Sequence, residues 1–260
     1  MKSEREHRKD IVEIGRRMWE RGFVVATDGN ISVKMSEDRI LTTPSGVSKG
    51  HMRPEEMVVL NSSGVKISGE KSASSEFRLH LAVYAERPDV FAVIHAHPPV
   101  ATAFTIAGIS LAQCVIPEVV FTLGSIPTTE YATPTTDEGP KVIRELIHDH
   151  DALILDRHGT VTVGPDIFDA YKKLEKVEHA AQITLAARQL GKVKTLPAEE
   201  VQKLLSVRQK LGLPGRVRVC SQCGACGKAA AVPNSSPAGT DEDALVERIT
   251  QEVLKALGKA

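Results

Sequence analysis

His95 and His97 stand two residues apart in VIHAHPP, within an apolar, β-branched run that reads as a strand. Because strand side chains alternate between faces, both imidazoles can project to one side, with Cα atoms about 6–7 Å apart. One cation can bridge that span. Pro98 and Pro99 end the strand and present the pair at a loop edge. Alone, the pair is a weak signal, equally compatible with a polar strand edge or two unrelated histidines. His158, in DRHG, follows another apolar run, so it can occupy a neighbouring strand end. Three neutral imidazoles would leave zinc an open position for water or a substrate carbonyl. The separation of 61 residues between His97 and His158 does not establish contact, and an ordinary core or surface role for His158 stays open.

Glu76 lies near the start of a helical pattern, after Ser74 and Ser75. A carboxylate held beside a metal there could exchange a proton with carbon or water, although a solvated first-turn glutamate is the commoner occupant. Three polar loops offer phosphate contacts: Gly29 and Asn30 in TDGNIS, Ser45 and Gly46 in TTPSG, and Ser74 and Ser75 in SASSE. Their hydroxyls, amides and N–H groups could surround a phosphoryl group without a Walker-type lysine. Each is also an ordinary turn, and they matter together only if the fold gathers them.

The elements that must position these groups are visible as periodicities. Ile11, Ile14, Met18 and Trp19 fall at helical spacing, with Gly22 as a stop. GNISVKM, RILTTPSG, EMVVLNSSG and VKISG are short β-branched runs punctuated by turn residues. A helical pattern spans 72–86, with Phe77, Leu81 and Tyr84 on one side and Pro88 closing it. A helix from TTDEG through VIRELIHDH, strands in DALILDRHG and TVTVG, a long helix over 167–190 and another in PAEEVQKLLSVRQKLG follow. Alternating helices and strands favour an α/β or α+β body, with strand order undetermined.

With 260 residues, 42% of them hydrophobic, the chain can bury one full-sized core and carry an appendage. Lys+Arg and Asp+Glu both number 33, which gives no global pull toward nucleic acid or an anionic membrane. No long apolar run follows the charged N-terminus, so an intracellular protein without integral membrane association is expected. Cys114 stands alone, whereas Cys220, Cys223 and Cys226 crowd CSQCGACG. That spacing admits a second metal site, zinc or iron–sulfur, completed from outside, or an unmetallated flexible thiol segment or disulfide. The stretch AAAVPNSSPAGT reads as a linker, and in 240–260 Leu245, Val246, Ile249, Val253, Ala256 and Leu257 share one broad helical face. The expected organisation is a body over 1–212, a cysteine-containing segment and linker over 213–239, and an amphipathic helix over 240–260.

Taken in order, TDGNISVK, TPSG, SASSEFRLH, VIHAHPP, SIPTTEYAT and DRHG resemble the class II aldolase and adducin-like family, particularly its fuculose-phosphate and rhamnulose-phosphate aldolases. The resemblance covers approximately residues 8–190. It implies a three-layer α/β/α domain with a central, mainly antiparallel sheet, and a C-terminal tail added to it. It further implies zinc, or another divalent metal, on His95, His97 and His158, with Glu76 as the acid/base. Gly29, Asn30, Ser45, Gly46, Ser74 and Ser75 would hold the phosphate of a ketose 1-phosphate, which is cleaved to dihydroxyacetone phosphate and an aldehyde, lactaldehyde for a six-carbon deoxyketose. Family members typically form homotetramers.

One departure concerns the active-site tyrosine of fuculose-phosphate aldolases: the ungapped match falls on Ile116, which donates no proton. Glu118, Tyr131, another residue or water would have to replace it. A related epimerase or dehydratase, or an adducin-like binding protein, are the competing readings. The terminal helix resembles the encapsulation peptides that dock cargo enzymes inside bacterial microcompartments. That likeness implies shell or cargo partners and a place in the microcompartment lumen.

Overall fold

The computed structural model describes residues 2–213 and 215–219. Cys220, Cys223, Cys226 and the helix expected over 240–260 lie outside the described residues.

The first helix, α1 (Glu4–Glu20), begins at a capping box in which Ser3 and Glu6 satisfy each other's backbone N–H groups. Ile11, Ile14 and Met18 are buried as their spacing predicts, but Trp19 is 44% exposed. Its ring lies over Gly50, where no side chain competes for the space, and beside His51 at 5.1 Å between centroids.

Seven strands follow: β1 (Asn30–Ser36), β2 (Arg39–Thr42), β3 (Val58–Leu60), β4 (Lys66–Ser68), β5 (Ala92–Ala96), β6 (Ala152–Leu155) and β7 (Gly159–Gly164). They form one sheet in the order β4-β3-β2-β1-β5-β7-β6, and each adjacent pair is antiparallel. The strands alternate sharply between two apolar faces. Ile31, Val33, Leu41, Ala92, Ile94 and Ala96 point toward α1 and the long α6 (Ile167–Leu190). Ile40, Val58, Val93, Leu153, Val161 and Val163 point toward α2 (Phe77–Glu86) and α5 (Glu138–Ile147). Each Ile, Leu or Val among them contributes on the order of 1.5–3 kcal/mol on burial, so a one-residue slip in register would be heavily penalised. Helices on both faces of a mainly antiparallel sheet make the three-layer α/β/α arrangement expected for this chain.

Two local readings change. Residues 72–76 precede α2 as a turn, because Ser45 N–H donates to the Ser72 carbonyl and Pro44 bridges Ala73. Within α2, Leu79 and Val83 are buried along with Phe77 and Tyr84, since the helix is covered by the sheet on one side and by α5 on the other. Two short helices, α3 (Pro99–Ile106) and α4 (Pro117–Thr122), escape the periodicity analysis. Both start at proline and pack into a third apolar cluster with β6 and α6. A final helix, α7 (Ala198–Lys210), docks Val201 beside Cys114, Val120 and Val219. No helix among the described residues is long and apolar enough to cross a membrane.

Candidate metal centre and active site

At one end of the sheet the chain gathers Glu76, His95, His97 and His158, whose ligating atoms all lie within 4.8 Å of one another. His95 is placed by β5, where its register sets it between Asn30 on β1 and Val161 on β7. Its side chain shares the α2 face with Val93, as alternation requires. His97 follows the last residue of β5, and its backbone N–H donates to the Phe23 carbonyl at 2.8 Å. His158 lies in the β6–β7 turn. There Arg157 adopts φ +54°, and its N–H donates to Thr105 Oγ1 at 2.9 Å. Glu76 is the N-cap of α2, and its N–H donates to Ser74 Oγ at 3.3 Å.

The donors are mutually close. His97 Nε2 lies 3.0 Å from His95 Nε2, His158 Nε2 lies 3.0 Å from Glu76 Oε1, and His95 Nε2 lies 3.4 Å from Glu76 Oε2. A tetrahedral ion with bonds of about 2.0–2.1 Å needs ligand atoms roughly 3.4 Å apart, so these separations fit a small divalent cation. The protonation pattern fits as well. His95 Nδ1–H donates to the Thr160 carbonyl at 2.9 Å, which leaves Nε2 as the nitrogen directed into the cluster. Burial, with His95 and His158 alongside, pushes the His97 imidazole down to about 3, so it is neutral and able to ligate. Asp28 Oδ2 stands 3.7 Å behind its other nitrogen. For Glu76, burial alone would raise the carboxyl, but His158 and His95 outweigh burial and hold it well below the ordinary carboxylate range. A divalent metal on these side chains would have three imidazoles and one nearby carboxylate available, the donor set of a catalytic rather than a closed structural site.

The three polar loops converge on the same end. β1 starts at Asn30, the antiparallel β2 ends at Thr42 and β5 ends at Ala96, so the turns beside them cluster. Asn30 Nδ2 reaches Ser74 Oγ at 3.3 Å, joining the Gly29–Asn30 turn to the Ser74–Ser75 turn. The Ser45–Gly46 turn is tied in through the Ser45–Ser72 hydrogen bond. Ser45, Gly46 and Ser75 remain exposed. Gly29 has φ +71°, and a β-carbon there would lie 2.9 Å from the His95 carbonyl oxygen. Only glycine lets this turn pass so close to the strand that carries His95.

Lys49, Asp28 and His80 were not singled out from the sequence. Lys49 is buried, and its ammonium donates to the Thr27 and Val47 carbonyls at 2.8 Å each, which clamps the Gly29 and Gly46 turns together. His80 is four residues after Glu76, a helical spacing that puts both on one face and could have drawn attention to it. Ile116 is the N-cap of α4, half-buried against the third apolar cluster. Glu118 and Tyr131 are exposed. A narrow cleft beside Glu76 and His158 is lined by Thr129, Thr133, Thr135 and Asp156.

Comparison with known proteins agrees with this geometry. Residues 9–185 match the family model described as Class II Aldolase and Adducin N-terminal domain. The chain is similar to a 5-deoxy-D-ribulose 1-phosphate aldolase of Bacillus thuringiensis serovar kurstaki, at 32% identity over 76% of this chain and 92% of the relative. A 3-oxo-tetronate 4-phosphate decarboxylase of Haemophilus influenzae is 31% identical over 75% of this chain and 93% of its own length. Among solved structures, an L-fuculose 1-phosphate aldolase superposes with a TM-score of 0.73 at 27% identity, covering 80% of this chain and 97% of that one. The family match, the antiparallel sheet between helical layers and the clustered imidazoles and carboxylate agree, and on these grounds the chain belongs to the class II aldolase and adducin family, as a metal-dependent enzyme of that superfamily.

Proposed function

We propose that this protein is a zinc-dependent aldolase that cleaves a deoxyketose 1-phosphate, such as L-fuculose 1-phosphate or L-rhamnulose 1-phosphate, to dihydroxyacetone phosphate and lactaldehyde. The observation that carries the reading is Glu76, whose two carboxylate oxygens face His158 and His95 at 3.0 and 3.4 Å. When bound on His95, His97 and His158, the cation supplies positive charge beside the substrate carbonyl and so an electron sink for C3–C4 cleavage. Gly29, Asn30, Ser45, Gly46, Ser74 and Ser75 hold the phosphate at the loop end of the sheet, which sets C3 next to Glu76. As C3–C4 breaks, the bonding pair passes to C3 and the C4 hydroxyl proton leaves to a separate acceptor. Glu76, a carboxylate in the resting site, takes up a proton from solvent, delivers it to C3 and returns to the carboxylate, which balances the step. No lysine Schiff base is needed.

A second reading, decarboxylation of a 3-oxo acid phosphate, is favoured by the similarity to 3-oxo-tetronate 4-phosphate decarboxylases and by Ile116, at the position where the resemblance puts the tyrosine that would take up the C4 hydroxyl proton in aldol cleavage. It uses the same electron sink and loses carbon dioxide instead of an aldehyde. Metal-loaded protein assayed on a panel of ketose 1-phosphates and 3-oxo-tetronate 4-phosphate separates the two. Aldolase activity predicts dihydroxyacetone phosphate from the ketoses and a fall of about 10²–10⁴-fold in Glu76→Gln. Carbon dioxide release without carbon–carbon cleavage of ketoses selects the decarboxylase, and clean epimerisation or dehydration removes both.

The body, residues 1–212, would act as a homotetramer, testable by light scattering. Residues 240–260 would dock the enzyme to microcompartment shell or cargo proteins, with Cys220, Cys223 and Cys226 as a separate zinc or iron–sulfur site. Unchanged recruitment to shell proteins after deletion of 240–260 would count against the docking role.

A further inference from the structure

Beneath the metal cluster a second set of polar side chains is enclosed between β1 and α2. His80 and Ser32 have no exposed surface, and Tyr84 is 9% exposed. His80 Nε2 lies 2.5 Å from Asn30 Oδ1, and His80 Nδ1 lies 2.6 Å from Ser32 Oγ, which is 2.8 Å from the Tyr84 hydroxyl. At the other end, Asn30 Nδ2 is 3.1 Å from Glu76 Oε2. Four buried or half-buried groups thus run in line from a phenol to the carboxylate proposed to move the proton.

Donor and acceptor chemistry gives this line one direction. As a carboxylate oxygen Glu76 Oε2 accepts, so Asn30 turns its NH2 toward it and its carbonyl toward His80. A carbonyl oxygen also only accepts, which requires the hydrogen of His80 to sit on Nε2. Burial, with His95 nearby, pushes His80 down to about 3, so the ring is neutral and its Nδ1 is a bare acceptor. Ser32 then donates its single hydrogen to Nδ1, and Tyr84 donates to Ser32. Reversing any one member would set two acceptors or two donors face to face in a dry interior, at a cost of about 1–3 kcal/mol.

We infer that His80 is a positioning residue: with Ser32 and Tyr84 it locks the Asn30 amide, which tethers Glu76 Oε2 and leaves Oε1 to carry the transferable proton. The tether serves both protonation states of Glu76, because Oε2 accepts from Asn30 whether or not Oε1 bears hydrogen. The kinetic part rests on the proton-transfer role proposed for Glu76, whereas the locked polarity does not.

Two measurements test it. In metal-loaded protein with 15N-labelled histidine, His80 should show a protonated Nε2 and an unprotonated Nδ1. The opposite tautomer, or a doubly protonated ring, overturns the inference even if no aldol cleavage is ever found. Kinetically, His80→Leu keeps the apolar bulk but loses the lock, whereas His80→Gln can still donate to Asn30 and accept from Ser32. At matched metal content, His80→Leu should lose on the order of 10²-fold in kcat with KM for the ketose phosphate changed only a few-fold, and His80→Gln should recover at least a tenfold part of that loss. Equal losses in both variants, or a loss confined to KM, contradict the positioning role. Should His80→Leu fail to fold, Tyr84→Phe takes its place. Removal of the outermost donor should lower kcat several-fold at constant KM, and unchanged kcat counts against the lock.

Discussion

Gly159 lies directly against the His97 imidazole: a β-carbon on Gly159 would come 2.7 Å from His97 Cδ2 and would also strike the Ala96 carbonyl oxygen. The residue after one proposed metal ligand is therefore bare so that another can fit beside it. Gly159 begins β7, and β7 pairs with β5, so relief by moving the backbone would break ladder hydrogen bonds. The nearer obstacle, the Ala96 carbonyl oxygen, is backbone and cannot turn aside, so the strand end that carries His97 must shift along with the ring. Gly159→Ala should displace His97 and weaken metal binding by about 10–100-fold, the usual effect of disturbing the support of a ligand. Competition against a chromophoric chelator measures this directly, and full affinity in the variant would mean that His97 does not ligate.

Metal should also be visible as stability. A ligand that binds only the folded chain contributes about 2.7 kcal/mol at a concentration one hundred times its Kd. For a body of this size each kcal/mol moves Tm by about 2–4 °C, so chelation should lower Tm by about 5 °C or more. His97→Ala should abolish most of the zinc-dependent rise. Equal zinc stabilisation in the two proteins would place the ion elsewhere.

Glu178 on α6 reaches the first turn of α3, where its carboxylate accepts from the N–H groups of Val100 and Ala101 at 3.1 and 2.9 Å. These donors are among those a helix start leaves unpaired, and Glu178 is itself 1% exposed. Because α3 begins two residues after His97, the contact also holds the flank of that histidine. Glu178→Gln would turn an NH2 toward one donor and should destabilise the fold by about 1–3 kcal/mol, read from urea midpoints. A shift below about 0.5 kcal/mol would show that the helix start finds other partners.

Lys49 supplies a pH signature. Burial pushes its ammonium down to about 8 from an ordinary 10.5, against the opposing pull of Asp28 and Glu76. Below pH 8 both folded and unfolded chains carry the proton, and the cost of burying the charge is constant. Between pH 8 and 10.5 the unfolded chain binds more protons than the folded one, so this residue makes stability rise with pH across that window. The total is on the order of 3 kcal/mol. Urea midpoints at pH 7 and pH 10 should diverge less in Lys49→Met than in the unmodified protein. Identical pH slopes would mean that the ammonium is solvated.

Much of this arrangement is legible locally. Alternation along VIHAH places His95 on the same face as Val93, and the span of α6 and the four N-terminal strands follow their apolar patterns. The short α3 and α4 are not legible that way. PVATAFTI is apolar on nearly all sides, down to Ile106, which is 63% exposed, so no amphipathic stripe marks the face that packs on β6 and α6. His80 is hidden for a related reason: its significance lies in the polarity of Asn30 and Ser32, residues 50 and 48 positions away in sequence.

The order of residues by itself determined the donor types, the two-residue spacing of His95 and His97 and the motifs that mark the family, since these depend only on local geometry and side-chain chemistry. The tertiary structure alone decided that His158 and Glu76 join them. That outcome depends on β7 pairing beside β5 and on α2 crossing the same sheet face, contacts between segments far apart in the chain. Such pairings are selected by burial of whole faces, a property summed over many residues that no short stretch encodes.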